Sequence, residues 1–157
     1  MALQEHRLDT VGVDDYIIAA VPATLIDVIW DKIVPLIMKP IKLSHGEASL
    51  DSIHKKLKTG DNLLLTISRG TDIVGIITLD IRVFESGLRT LYLPLIGGTE
   101  MFNWMDRALS ICEAIAKDFD CTELRGIAVR KGWMRLLEKR GWEEVSTTIR
   151  CPIGGNT

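Results

Sequence analysis

Between residues 92 and 109 the chain reads YLPLIGGTEMFNWMDRAL. An apolar run ends in Gly97-Gly98, Thr99 and Glu100 follow, and an amphipathic pattern begins at once. A strand, a glycine turn and a helix start can together set backbone N–H groups around a phosphate, where the helix dipole favours negative charge. Paired glycines let the backbone approach such a ligand closely. The same residues also make a tight strand-to-helix turn, and the sequence alone leaves both readings standing. Metal chemistry has less to rest on. Cys112, Cys121 and Cys151 show no metal-ligand spacing and cannot all pair, so they read as reduced and mostly core. His6, His45 and His54 are scattered over polar segments, and no metal site is expected.

The elements that must position this stretch follow from periodicity. YIIAAV at 16–21 is a short β-branched run and reads as a strand. Pro22 then suits the first turn of a helix, whose apolar face is Leu25, Ile29, Ile33 and Leu36, with Ile26, Trp30 and Ile37 beside them. Pro35 is expected to kink or end that helix, and Pro40 to exclude its continuation. Ser49 caps a short second helix carrying Leu50, Ile53 and Leu57, and Gly60 stops it. DNLLLTISR and DIVGIITLDIRVF flank Gly70-Thr71 as a hairpin, and after a turn at Ser86-Gly87 TLYLPLI makes a third consecutive strand. A long helix is expected over 100–117, capped by Thr99, with Met101, Trp104, Met105, Ala108, Cys112, Ile115, Ala116 and Phe119 on one face. TELRGIAV is a strand, KGWMRLLEKR a short helix closed by Gly141, and Val145, Thr147, Ile149 and Cys151 alternate as a final strand.

The expected order is β-α-α-β-β-β-α-β-α-β. Early hairpins and later crossovers give an α/β fold, a mixed sheet with helices on both faces. A ligand is expected where the sheet changes character, at the end of YLPLI beside its parallel neighbour LRGIAV. Residues 16–152 are read as one domain, after a flexible segment 1–15 and before a loose tail 153–157. The 157 residues are 46% hydrophobic and 25% charged, with a net charge of −2. That balance suits a soluble globular chain and gives no basic field to attract nucleic acid. No run reaches a membrane span and no signal-peptide pattern opens the chain, so a cytoplasmic protein is expected.

That order, with RKGWMRLLEKRGWEEV near the C-terminus and Gly141-Trp142 where a Gly-Phe pair usually stands, resembles the GNAT superfamily of acetyl-CoA-dependent N-acetyltransferases. The pattern GG…W…A…DCTELRG.AVRKGW.RLLEKRGW is similar to a divergent GNAT-like group of bacteriophages and prophages. The resemblance implies that coenzyme A lies between TLYLPLI and LRGIAV, and that Leu95, Ile96, Gly97, Gly98 and Thr99 form the counterpart of the pyrophosphate loop. Backbone amides of Gly97, Gly98 and Thr99 would then meet the phosphates. The family's basic residue and second spaced glycine are absent, and Glu100 places a negative charge where a diphosphate would sit, so acetyl-CoA binding is expected to be weak or lost. Leu137 stands where active members carry a proton-donating Tyr, and Arg130 where an Asn is common; Arg130 and Lys131 remain as phosphate contacts. An amine acceptor needs a base. Asp80 is the best placed by the resemblance, with Glu85 and Glu100 as other carboxylates and Tyr92 as a neighbouring polar group.

Two functions follow, and they stand side by side. One is an acyl-CoA-dependent N-acetyltransferase with a degenerate cofactor loop, acting on a protein amine or a small amine. The other is a non-catalytic protein on the same scaffold, a phage virion or assembly component or a binder of a host protein, in the host cytoplasm or in the virion. Self-association is left open.

Overall fold

The computed structural model describes residues 16–127 and 131–154, and the chain divides into two compact units, residues 1–127 and 128–157. The first unit contains β1 (Tyr16–Val21), α1 (Ile26–Leu43), α2 (Leu50–Thr59), β2 (Leu63–Arg69), β3 (Asp72–Val83), β4 (Arg89–Leu93), β5 (Ile96–Gly98), α3 (Met101–Asp118) and β6 (Glu123–Gly126). The second contains α4 (Lys131–Lys139). The sheet runs β1-β2-β3-β4-β6, and β5 also pairs with β3. All pairs are antiparallel except β4 with β6, which is parallel and needs the α3 crossover. The expected mixed sheet is therefore present.

Side-chain alternation sends the sheet's apolar residues to two layers. Leu64, Ile76 and Leu95 pack with Ile26, Ile33 and Ile37 of α1 and with Ile53 and Leu57 of α2. On the opposite face Gly75 admits the ring of Trp104 from α3, so closely that a Cβ there would stand 2.5 Å from it. Trp104, Ala108, Cys112 and Ile115 are fully buried on that helix. Helices thus cover both faces.

Local caps behave as their residues dictate. Ser49 accepts from the Ser52 N–H at 3.2 Å, and Gly60 takes the left-handed conformation that ends α2. Three expectations need correction. Helix α1 runs through both Pro35 and Pro40 to Leu43. Each proline removes one i→i−4 bond, but Asp31 is exposed, so its carbonyl has access to water, and the Leu36 carbonyl is taken up in packing against Gly97. The cap of α3 is Glu100, not Thr99; Glu100 is left-handed (φ 57°) and makes no side-chain cap bond. Thr99 is committed elsewhere, since its N–H donates to the Val74 carbonyl at 2.8 Å and its carbonyl accepts from Trp104 Nε1 at 2.8 Å. Finally, residues 142–152 form no strand, and Val145 and Ile149 are 65% and 88% exposed. Alternation marks a strand with one buried face, and it becomes a strand only where a partner takes up its ladder bonds.

Candidate functional site

The site begins with an interruption. Asp80 pairs with Tyr92 and Ile77 with Ile96, so two residues of β3 face three residues, Leu93, Pro94 and Leu95. This is a β-bulge, and it separates β4 from β5. Thr78 holds it: its N–H donates to the Leu95 carbonyl at 3.0 Å, and its hydroxyl, fully buried, accepts from the Leu95 N–H at 3.2 Å. Pro94 sits in the bulge, where its missing N–H costs no ladder bond.

The bulge also ends the parallel pairing. β4 and β6 match from Thr90↔Glu123 to Leu93↔Gly126, and beyond that point β5 pairs with β3 alone. In an antiparallel ladder alternate residues address opposite edges. Leu95 and Thr99 are bonded to β3, and Gly97 falls in phase with them opposite Ile76. Ile96 and Gly98 therefore turn their N–H groups to the other edge, to which no strand is paired among the described residues.

Gly97 and Gly98 have a packing reason of their own. A Cβ at Gly97 would stand 2.1 Å from the Leu36 carbonyl oxygen and 3.1 Å from the Pro40 ring. Pro40 carries no N–H to take that carbonyl in the helix, so α1 presents a bare oxygen and a ring to the strand, and only glycine fits beneath them. At Gly98, φ is +138° and a Cβ would stand 2.3 Å from the Val74 carbonyl. Of the three amides expected to meet phosphate, Gly98 alone points to the open edge. Only Thr99 and Glu100 separate β5 from α3.

Beside the open edge lies a charged face. Asp80 and Arg82 continue the alternation of Ile76 and Thr78, beyond the part of the sheet that α1 covers. Arg82 grips Asp80 with two bonds, at 2.9 and 3.2 Å, and its guanidinium lies 3.6 Å from the centre of the Tyr92 ring. One strand further on, Thr90 donates to Glu123 at 3.0 Å, Arg125 pairs with Glu123, and Arg125 lies 4.7 Å over the Phe84 ring. The structure thus brings Asp80 and Tyr92 together opposite each other, and adds Arg82, Glu123 and Arg125, which were not singled out from sequence. Their signal is legible in hindsight: Asp-x-Arg in β3 and Glu-x-Arg in β6 put opposite charges on one face of a strand.

The remaining expected site residues are elsewhere. Arg130 lies outside the described residues, and Lys131 opens α4 in the second unit. Glu85 is exposed in the turn after β3. Cys112 and Cys121 are not placed for nucleophilic work: burial pushes Cys112 up to about 12 and also raises Cys121. No helix among the described residues is long and apolar enough to cross a membrane.

No protein-family profile matches the sequence, and no curated protein sequence matches it. Solved structures do match in shape. A ribosomal-protein-alanine N-acetyltransferase from Brucella melitensis biovar Abortus superposes with a TM-score of 0.65 at 14% identity, covering 88% of this chain and 99% of that one. An aminoglycoside acetyltransferase from an uncultured soil metagenomic sample, in complex with sisomicin, gives 0.65 at 11%, covering 88% and 96%. A GNAT family acetyltransferase from Staphylococcus aureus gives 0.62 at 12%, covering 88% and 98%. At these identities the likeness is one of fold, and the fold is that of the GNAT acetyltransferases.

Proposed function

We propose that this chain is an N-acyltransferase that takes an acyl thioester along the open edge of β5 and passes the acyl group to an amine held over the charged face of β3, β4 and β6. The observation that carries the reading is the end of the β4–β6 pairing at Leu93 and Gly126, past which the outward N–H groups of Ile96 and Gly98 meet no paired strand among the described residues, with Asp80 and Tyr92 on the other side of the bulge. The pantetheine arm of coenzyme A is a chain of amide groups, and a bare strand edge offers it what a further strand would receive. The thioester supplies the acyl group in activated form.

In this reading the chain's own residues handle the amine. An ammonium must lose its proton before its nitrogen can attack the thioester carbon and the C–S bond can break. Asp80 accepts that proton, and its side chain is 19% exposed. Arg82, on the exposed side of the pair, swings aside as the ammonium takes over its hydrogen bonds. The Tyr92 ring then presents its face to the incoming cation, as it does now to Arg82. The acceptors named for similar folds, an aminoglycoside and a ribosomal-protein alanine, set the first panel to try: aminoglycosides, polyamines and peptides with free N-termini.

The test is thiol release from acetyl-pantetheine and acetyl-CoA in the presence of that panel. Amine-dependent release that falls at least about 100-fold in Asp80→Asn supports the reading. Absence of amine-dependent release with every acceptor and both thioesters counts against it.

A further inference from the structure

The α3 end of the β5 edge is built differently from the rest of it. Glu100 stands between strand and helix in a left-handed conformation that non-glycine residues rarely adopt. Its carboxylate is tied down: Tyr16 Oη donates to Oε1 at 2.6 Å and Arg69 Nη1 to the same oxygen at 2.5 Å. Tyr16 is itself fixed, since it is 2% exposed, its hydroxyl accepts from Asn103 Nδ2 at 3.3 Å and its carbonyl from Arg107 Nη1 at 2.9 Å. The first strand, the β2–β3 hairpin and the first turn of α3 thus converge on one carboxylate.

From this we infer, resting on the proposed acyltransfer, that the donor is recognised by its acyl-pantetheine arm and that the nucleotide diphosphate of coenzyme A adds no affinity. A diphosphate at the start of α3 needs free amides, a cation and no competing anion. Two of the amides at this helix start are already committed, that of Thr99 to the Val74 carbonyl and that of Asn103 to the Glu100 carbonyl at 2.9 Å. Arg69 reaches this loop, and Glu100 neutralises it. The anion at this helix start is a side chain of the protein. The pantetheine part of the edge, at Ile96 and Gly98, is untouched by this arrangement. The donor class is therefore an acyl-pantetheine thioester, free or attached to a larger carrier.

Calorimetric titration of the full chain with acetyl-pantetheine and with acetyl-CoA tests this. The expected dissociation constants agree within about threefold, and Glu100→Gln, which leaves Arg69 unpaired, tightens acetyl-CoA about tenfold with acetyl-pantetheine unchanged. Arg69→Gln gives a second handle that keeps Glu100 itself in place: it is expected to weaken acetyl-CoA while leaving acetyl-pantetheine as it was. Acetyl-CoA binding the wild type about thirtyfold or more tightly than acetyl-pantetheine overturns the inference and leaves the acyltransferase reading intact. Failure of both thioesters to bind overturns the reading and the inference with it. An acetyl-pantetheine-loaded carrier protein titrated alongside tells a free donor from a tethered one.

Discussion

One face of the sheet has two halves, and the same strand runs through both. Where α1 covers it, β3 presents Ile76, the bulge presents Leu95 and β5 presents Gly97, packed against Ile33, Ile37 and the Leu36 carbonyl. Beyond Thr78 the face carries Asp80 and Arg82, with Tyr92, Glu123 and Arg125 alongside. In the covered half a single added methyl has nowhere to go. In the open half charged groups satisfy one another and can be exchanged for a ligand at small structural cost. Thr78 and the bulge mark the division, which is also the place where the β4–β6 pairing ends. Stability and chemistry are thus separable along one strand.

That separation can be broken at several points. The largest effect is expected from Gly97→Ala. The new Cβ meets backbone rather than a flexible side chain, so a loss of about 3 kcal/mol or more in urea denaturation is expected. A change under about 1 kcal/mol would mean that α1 does not press on β5. Next comes Asp80→Asn. Turnover is expected to fall at least about 100-fold, with stability within about 0.5 kcal/mol of wild type, since a partly exposed ion pair contributes little. Equal losses in stability and turnover would merge the two halves that the structure keeps apart. Thr78→Val keeps the shape and removes the acceptor of the Leu95 N–H. A cost of about 1–2 kcal/mol is expected, together with weaker thioester binding as the bulge relaxes.

Two smaller effects lie outside this face. Lys58 and His54, hydrogen-bonded to Asp27 at 2.8 and 2.7 Å, hold its carboxyl below the usual 3.8. A depressed folded value means that the contribution is present above 3.8 and is lost as pH falls through the folded value. Asp27→Asn should therefore be less stable than wild type near neutrality and converge with it in acid, by a margin that shrinks in salt. A constant gap across the acid range would contradict the link. The smallest structural effect is expected from alkylation with iodoacetamide. Exposed Cys151 reacts in the native state while buried Cys112 reacts only on unfolding, and blocking Cys151 leaves the melting curve in place.

Much of this was legible in the sequence because it is locally encoded. Ser49 and Gly60 cap α2 by their own chemistry, Gly70-Thr71 turns the hairpin, and the spacing of Trp104, Ala108, Cys112 and Ile115 gave the buried face of α3. What escaped depends on groups far apart in the chain. Pro40 ends a helix by local rules, yet α1 continues through it with the freed Leu36 carbonyl lying against Gly97. The glycine pair left a phosphate turn and a tight turn both standing, because nothing nearby in sequence announces α1 above it. The strand expected over Val145–Cys151 had the right alternation and pairs with no strand among the described residues. Asp80 and Tyr92 were singled out from the resemblance, but the arginine that grips the one and stacks on the other became visible only with the pairing register.

The central claim is that the outward amides of β5 receive the thioester arm. Backbone amide shifts of the labelled full chain, followed during titration with acetyl-pantetheine, test it residue by residue. Movement of Ile96 and Gly98, with Gly97 and Thr99 nearly still because their N–H groups face β3, is the expected result. Shifts confined to other elements, or none at Ile96 and Gly98 at saturating ligand, would contradict it.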